Sequence, residues 1–259
     1  MAESEDEGAR GAQEGLLGAG EPPPFEVLNP SGRSRFLLVG DHTGRRIPRV
    51  LGNLGLGETD LARHIAWDIG TAALGEALAG RLDAVFVRQV YSRLVIDCNR
   101  APERADAVPT ASDGSAIPGN QDLSSEARAA RVTAIQAPYQ AAIASEIARR
   151  RTPPLLIALH SFTPVFAGEA RPWAVGVLHD GGADGFALSL LDWLRRAQVG
   201  IVGDNQPYAM DDTDHTIPRH ALAPGLAYAE IEVSQRELGS AEGIERWADL
   251  LARGLVACL

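Results

Sequence analysis

One stretch of this chain fits few folds except as a buried strand. Pro153-Pro154 ends whatever precedes it, Leu155-Leu156-Ile157-Ala158-Leu159 follows, and His160-Ser161-Phe162-Thr163-Pro164 closes the run. Five apolar residues are too few for a helix and the right length for a strand covered on both faces. A buried strand that delivers a histidine at its carboxyl end places it where open α/β sheets carry ligand chemistry. Taken alone, the stretch is equally a strand that ends in a polar turn, so the neighbouring segments have to decide.

Those segments alternate. Phe25–Asn29 is expected as an edge strand, and Arg35–Gly40 as the first clear one. The spacing predicts a helix from Glu58 to about Ala79, N-capped by Thr59, with Leu61, Ile65, Ile69, Ala72 and Leu74 on one face. Short strands follow at Ala84–Val87 and Arg93–Asp97, then a turn-rich loop from Ala101 to Asn120. Ser124 is placed to cap a long helix to about Arg150, which Pro138 should kink or split. Further strands are expected at Trp173–Leu178, Val199–Gly203 and Tyr228–Val233, and helices at Asp184–Ala197 and Ala241–Leu259. Strands alternating with helices predict one α/β domain, a mixed and mainly parallel central sheet covered on both faces.

Residues 1–24 differ from the rest. Acidic residues, glycine, alanine and a Pro22-Pro23-Pro24 run predict a disordered acidic tail ahead of a single domain over 25–259. The net charge of −10 is concentrated there, and the acidic balance argues against nucleic acid as a partner. All 24 basic residues are arginines, which excludes Schiff-base or P-loop lysine chemistry. Two cysteines, Cys98 and Cys258, form neither a disulfide framework nor a metal-pair motif. With no apolar run of membrane length and an acidic amino terminus, a cytoplasmic protein with no membrane partner is expected, a monomer or homodimer.

The polar residues that carry chemistry fall at strand ends. Asp41-His42 follows one strand, Asn99-Arg100 another and His160 a third, while Glu230 and Glu232 lie in the last. Parallel strands would bring these to one sheet edge. Two imidazoles and a carboxylate, with a fourth position open, match a catalytic zinc shell. A free glutamate could then shuttle protons, and an arginine beside an asparagine suits a substrate carboxylate. The ligands are scattered, and no HExxH or CxxC motif ties them together.

Five blocks carry a more specific signal. Gly40-Asp41-His42-Thr43-Gly44 with Ile47-Pro48, His64–Gly70, Tyr91–Arg100, Leu159–Pro164 and Glu230–Val233 together resemble the N-formylglutamate amidohydrolase family, from about residue 36 to 255. The resemblance implies the phosphorylase/hydrolase-like three-layer fold of zinc carboxypeptidases and aspartoacylases. It implies hydrolysis of N-formyl-L-glutamate to formate and L-glutamate, with Zn2+ or another divalent transition metal. It further implies His42, Asp68 and His160 as metal ligands, Glu232 as general base and acid, and Asn99 and Arg100, helped by Arg93, as the carboxylate site. Zinc carboxypeptidases take a ligand from a glutamate three residues after the first histidine. Arg45 stands there, so Asp68, or else Asp41, has to replace it. A deacylase or carboxypeptidase-like enzyme on another N-acyl substrate, or a non-catalytic metabolite-binding relative, would carry much the same blocks.

The remaining polar residues have plainer readings. His64 is expected on the same helix face as Asp68, and Asp97 as the partner of an arginine or of a ligand. His179, His215 and His220 read as solvated or locally bonded, and Trp67, Trp173 and Trp247 as core. Ser161 and Thr163 need not be nucleophiles beside a metal.

Overall fold

Two apolar faces alternate along the same strands, and this makes the sheet the middle layer. The computed structural model describes residues 15–181 and 185–259. Seven strands form one sheet: β1 (Phe25–Leu28), β2 (Phe36–Gly40), β3 (Val85–Gln89), β4 (Leu155–Phe162), β5 (Val175–Leu178), β6 (Val202–Asp204) and β7 (Tyr228–Ser234). Their spatial order is β1-β3-β2-β4-β7-β5-β6. The central four, β3, β2, β4 and β7, are parallel, while β1, β5 and β6 run the other way. The sheet is therefore mixed and mainly parallel, as the alternation predicts.

Period-two geometry sorts the side chains. Phe36, Leu38, Ile157, Leu159, Ile231 and Val233 face one way, against the helices α1 (Thr71–Leu82), α4 (Gly185–Arg196) and α5 (Ala241–Ala257). Between α1 and α4 in the chain lie α2 (Ser125–Arg131) and α3 (Ala137–Ala148). Leu37, Val39, Leu156, Ala158 and Tyr228 face the opposite way, against α3 and the segment 94–98. Each fully buried leucine, isoleucine or valine stabilises this arrangement by roughly 1.5–3 kcal/mol relative to exposure. The stripe Phe186, Ala187, Leu190, Leu191 and Leu194 shows why α4 lies flat on the sheet: these positions recur at helical spacing and all are buried.

Ser124 caps α2 as expected, its hydroxyl accepting from the Ala127 amide at 3.2 Å. Pro138 sits in the first turn of α3, and a π-helical turn, Val132–Gln136, separates the two helices. The missing proline N–H splits the long helix there.

Three expectations need correction. Glu58 begins a single helical turn, Glu58–Leu61, capped by Gly57 and not by Thr59, and α1 starts afresh at Thr71. Residues 62–70 form a loop whose backbone is satisfied from elsewhere: the Asp68 amide donates to His42 O at 2.8 Å, and Ser92 Oγ donates to Ala66 O at 2.7 Å. His64 and Asp68 therefore do not share a helix face. Second, Arg93–Asp97 is no strand. Leu94, Val95 and Ile96 are fully buried but packed as turns under the sheet, with the Val95 amide on Ser92 O and the Asp97 amide on Ala107 O. Third, residues 15–24 are held in place: Leu16 and Leu17 pack against the α3-side core, Tyr91 Oη donates to Pro22 O at 2.9 Å, and the Val90 amide donates to Pro24 O at 3.0 Å. The composition of that segment understated what two leucines and two proline carbonyls can anchor. Residues 1–14 lie outside the described residues. β6 also starts later than predicted, at Val202. Of the tryptophans, Trp247 is core, whereas Trp67 and Trp173 are only half-buried.

Gly70 makes the restart of the helix possible. Its φ of 86° is left-handed, and a Cβ there would meet Leu238 Cβ at 2.5 Å. Gly70→Ala is expected to lower unfolding free energy by about 1–3 kcal/mol in a urea titration. An unchanged midpoint would show that this turn carries no strain.

Candidate active site

The face that packs on α3 turns polar toward the carboxyl ends of the parallel strands. Along β4, Leu156 and Ala158 are followed by His160; along β7, Tyr228 is followed by Glu230 and Glu232. The register sets Glu230 beside Ala158 and Glu232 beside His160. β2 ends at Gly40, and Asp41 and His42 continue from it, 1% and 3% exposed. The 62–70 loop, released from helix by Gly70, brings Asp68 in from the side. Ser161 pins it there: its amide donates to Asp68 Oδ2 at 3.2 Å, and its hydroxyl donates to Ile69 O at 2.9 Å.

His42, Asp68 and His160 converge, each offering one ligand atom within 4.8 Å of the others. The two imidazole centroids are 4.9 Å apart. Both rings turn Nδ1 toward Asp68 Oδ2, at 3.6 Å for His42 and 3.1 Å for His160. Both are backed at Nε2 by carboxylates. Asp97 Oδ1 lies 2.7 Å from His42 Nε2. Asp41 Oδ2 and Glu230 Oε1 lie 3.4 and 3.7 Å from His160 Nε2. A carboxylate behind a ring fixes its tautomer and leaves the opposite nitrogen's lone pair for a ligand. Asp41, the other candidate ligand, thus stands behind His160 and outside the convergent group, where Thr216 Oγ1 donates to its Oδ1 at 2.7 Å.

Burial opposes charge on every one of these groups, so the shifts report their partners. Asp68 is pulled well below the usual carboxylate range because His42 and His160 outweigh its burial. Asp97 is likewise low: burial raises it, and Arg93 and His42 outweigh that. His160 is raised, its burial overcome by Asp41 and Asp68. The two glutamates have no such compensation. Burial, only partly offset by His160, pushes Glu230 up to about 8 and Glu232 up to about 7. His42 Nδ1, His160 Nε2, Asp41 Oδ2, Glu230 Oε2 and Glu232 Oε2 are buried without a hydrogen-bond partner among the described residues. Orphaned buried ligand atoms of this kind, from two histidines and from carboxylates, fit a divalent cation of the zinc type.

Above the cluster is a cavity of about 230 Å³. Arg93, Asn99 and Arg100 all line it. Arg93 spans Asp97 Oδ2, at 2.6 Å, and Asp68 Oδ1, at 3.4 Å. Arg100 is held by Asn99 O and Thr213 O, with Asp214 3.7 Å away. The side chain of Asn99 braces the 211–216 loop: its Oδ1 accepts from the His215 and Thr216 amides, and its Nδ2 donates to Asp214. One amide proton of Asn99 stays uncommitted.

Other residues fall away from the chemistry. His64 lies at the rim, 3.4 Å from Asp113 Oδ2. His179 pairs with Asp204 where β5, being antiparallel to β7, ends away from the cluster. His220 meets Gln140 Oε1 at 2.6 Å. Tyr208, Asp211 and Asp214 line the cavity and went unnoticed in the sequence, since a polar loop from 206 to 225 offers no periodicity to single them out. Among the described residues no helix is long and apolar enough to cross a membrane.

No curated protein sequence matches the chain. A gene product of Agrobacterium tumefaciens of known structure is 33% identical, with a TM-score of 0.90 over 94% of this chain and 97% of that one. N-formylglutamate amidohydrolase from Ralstonia eutropha is 17% identical and shares the fold, with a TM-score of 0.68 over 92% of this chain and 97% of that one. The family model for N-formylglutamate amidohydrolase matches residues 34–238, which hold every residue of the cluster. The chain belongs to the N-formylglutamate amidohydrolase family.

Proposed function

We propose that the chain is a metal-dependent amidohydrolase that cleaves N-formyl-L-glutamate to formate and L-glutamate. The observation that carries this reading is the convergence of His42, Asp68 and His160 beneath a cavity whose wall holds two buried glutamates and two arginines. His42, Asp68 and His160 would hold a zinc ion. A bound zinc polarises an acyl carbonyl and makes water a nucleophile near neutral pH.

The chain's own groups supply the rest. Arg100, with the remaining amide proton of Asn99 and help from Arg93, binds the substrate α-carboxylate. Glu232, beside His160 in register, takes a proton from the attacking water. As the C–N bond breaks it returns that proton to the departing nitrogen. In the metal-free site burial raises the Glu232 carboxyl to about 7; the positive charge of a bound metal would lower it again, toward the base form that the first step needs. Asp97 holds His42 in the tautomer that presents Nδ1, and Asp41 Oδ2 stands 3.4 Å behind His160 Nε2.

The reading is tested with purified full-length chain loaded with zinc. Wild type is expected to hold close to one zinc and to release formate. Glu232→Gln should keep the metal and lose about 10²–10⁴-fold in kcat. A zinc-free active wild type, or a fully active Glu232→Gln, would sink it.

Asp97→Asn removes the negative charge behind His42. Zinc affinity is expected to fall about 10–100-fold in a chelator competition, while the circular dichroism spectrum stays unchanged.

Stability of the metal-stripped chain should depend on pH in a defined direction. Glu230 and Glu232 titrate near 8 and 7 when folded, against about 4.3 when unfolded. At these two sites the folded chain binds more protons across that interval; below about 6.5 the lowered His64, His215 and His220 oppose them, so stability falls as pH rises from about 6.5 to 8. His160, whose pKa is also raised by folding, adds in the same sense above its unfolded value. Thermal melts in chelator should show Tm declining over this range, and a rising Tm would contradict the buried placement of the two glutamates.

A further inference from the structure

Among the described residues, one guanidinium packed behind the cavity-lining Tyr208 has no carboxylate partner. Arg171 follows the hairpin made by Val165–Phe166 and Glu169–Ala170. Its Cζ lies 4.6 Å from the ring centroid of Phe166 and 4.6 Å from that of Tyr208. One Nη1–H donates to Tyr208 Oη at 2.7 Å. Among the described residues it forms no ion pair, and its Nε and Nη2 donate to no protein acceptor. Arg93 and Arg100, by contrast, are each partly neutralised by aspartates.

Its place ties it to the site. Tyr208 lines the main cavity together with His42, His160 and Glu232. Tyr208 and Phe166 also line the cleft that opens beside it, over His64, Arg93 and Arg100. Arg171 is clamped between these two rings. Stacking on two aromatic faces holds a cation still without neutralising it. A donor fork fixed in advance takes a carboxylate with little loss of side-chain freedom.

The charge of the cavity gives that fork a purpose. Asp211 and Asp214 line it outside the metal-binding cluster. A ligand with two carboxylates meets repulsion from this wall. Arg100 and Arg93 answer for one carboxylate, and the unpaired Arg171 is left for the other.

We infer that Arg171, steadied by Phe166 and Tyr208, is the residue that selects ligands with a carboxylate on the side chain, N-acyl acidic amino acids over their neutral counterparts. The inference rests on the amidohydrolase reading for the bond that is cleaved, but not for the binding preference.

The test uses L-glutamate and L-glutamine, which match in shape and differ in side-chain charge. Each is titrated calorimetrically into the zinc-loaded full-length chain, and formate release from the two N-formyl derivatives is measured in parallel. Wild type should bind glutamate at least about tenfold more tightly than glutamine. Arg171→Gln should bind the two about equally, with glutamine affinity unchanged. Arg171→Lys, which keeps the charge but not the planar fork, should retain a reduced preference. The inference is overturned by a wild type without preference for glutamate. It is equally overturned by an Arg171→Gln or Arg171→Lys chain with the full wild-type preference, or by one that loses both ligands alike, since that marks a mere brace for Tyr208. An Arg171-dependent preference in a chain that releases no formate supports the selector and refutes the hydrolytic reading. Formate release from both derivatives without preference does the reverse.

Discussion

A carboxylate with almost no exposure stays ionised only among positive or proton-donating partners, and Asp68 has His42, His160 and Arg93 around it. Much of the local architecture serves that one requirement. The chain from 62 to 70 gives up helix so that Asp68 can reach inward. Ser161 donates to it from the strand that also carries His160. Arg93 ties Asp68 to Asp97, and Asp97 in turn holds His42. A histidine just past β2 and one within β4 are thereby tied to one another through three charged side chains. Removing any one of these groups would leave its buried neighbours with fewer partners.

The sheet supplies the rigidity. A single face of β4 and β7 changes from apolar to ionisable within two residues, so the groups that do chemistry are continuous with the packed core under them. Behind His160 the support goes on: Asp41 accepts from Thr216, Thr216 accepts from Gln140, and Gln140 receives His220. The 211–216 loop is held by Asn99 on one side and by this chain of bonds on the other. It forms one wall of the cavity and carries Asp211 and Asp214, so the wall's charge is as firmly placed as the floor's.

Legibility varied with the kind of signal. His160 was readable because an apolar run of strand length ended in it, and Glu230 and Glu232 because they alternate with Ile231 in a strand. Asp68 was named only through a sequence block. Its surroundings were misread as helix, since Ile65 and Ile69 fall at helical spacing while the turn at Gly70 that breaks the pattern leaves no periodic trace. Leu94–Ile96 looked like a strand because burial, not pairing, demanded those residues. Asn99 was expected at the substrate, and its type and place in the chain fit that, but its hydrogen bonds to a loop more than a hundred residues away show it shared with the scaffold.

The alternating strand pattern carried the fold class, and the five blocks together carried the family and the candidate site residues. These are local properties, written in side-chain period and residue type. Only the tertiary structure decided which nitrogen of each histidine faces the cluster, that Asp41 stands behind a ring, and that Arg171 is left without a counter-charge between two aromatic rings. Tautomer, orientation and unmet charge depend on distances between segments far apart in the chain, and no spacing along one strand or helix encodes them.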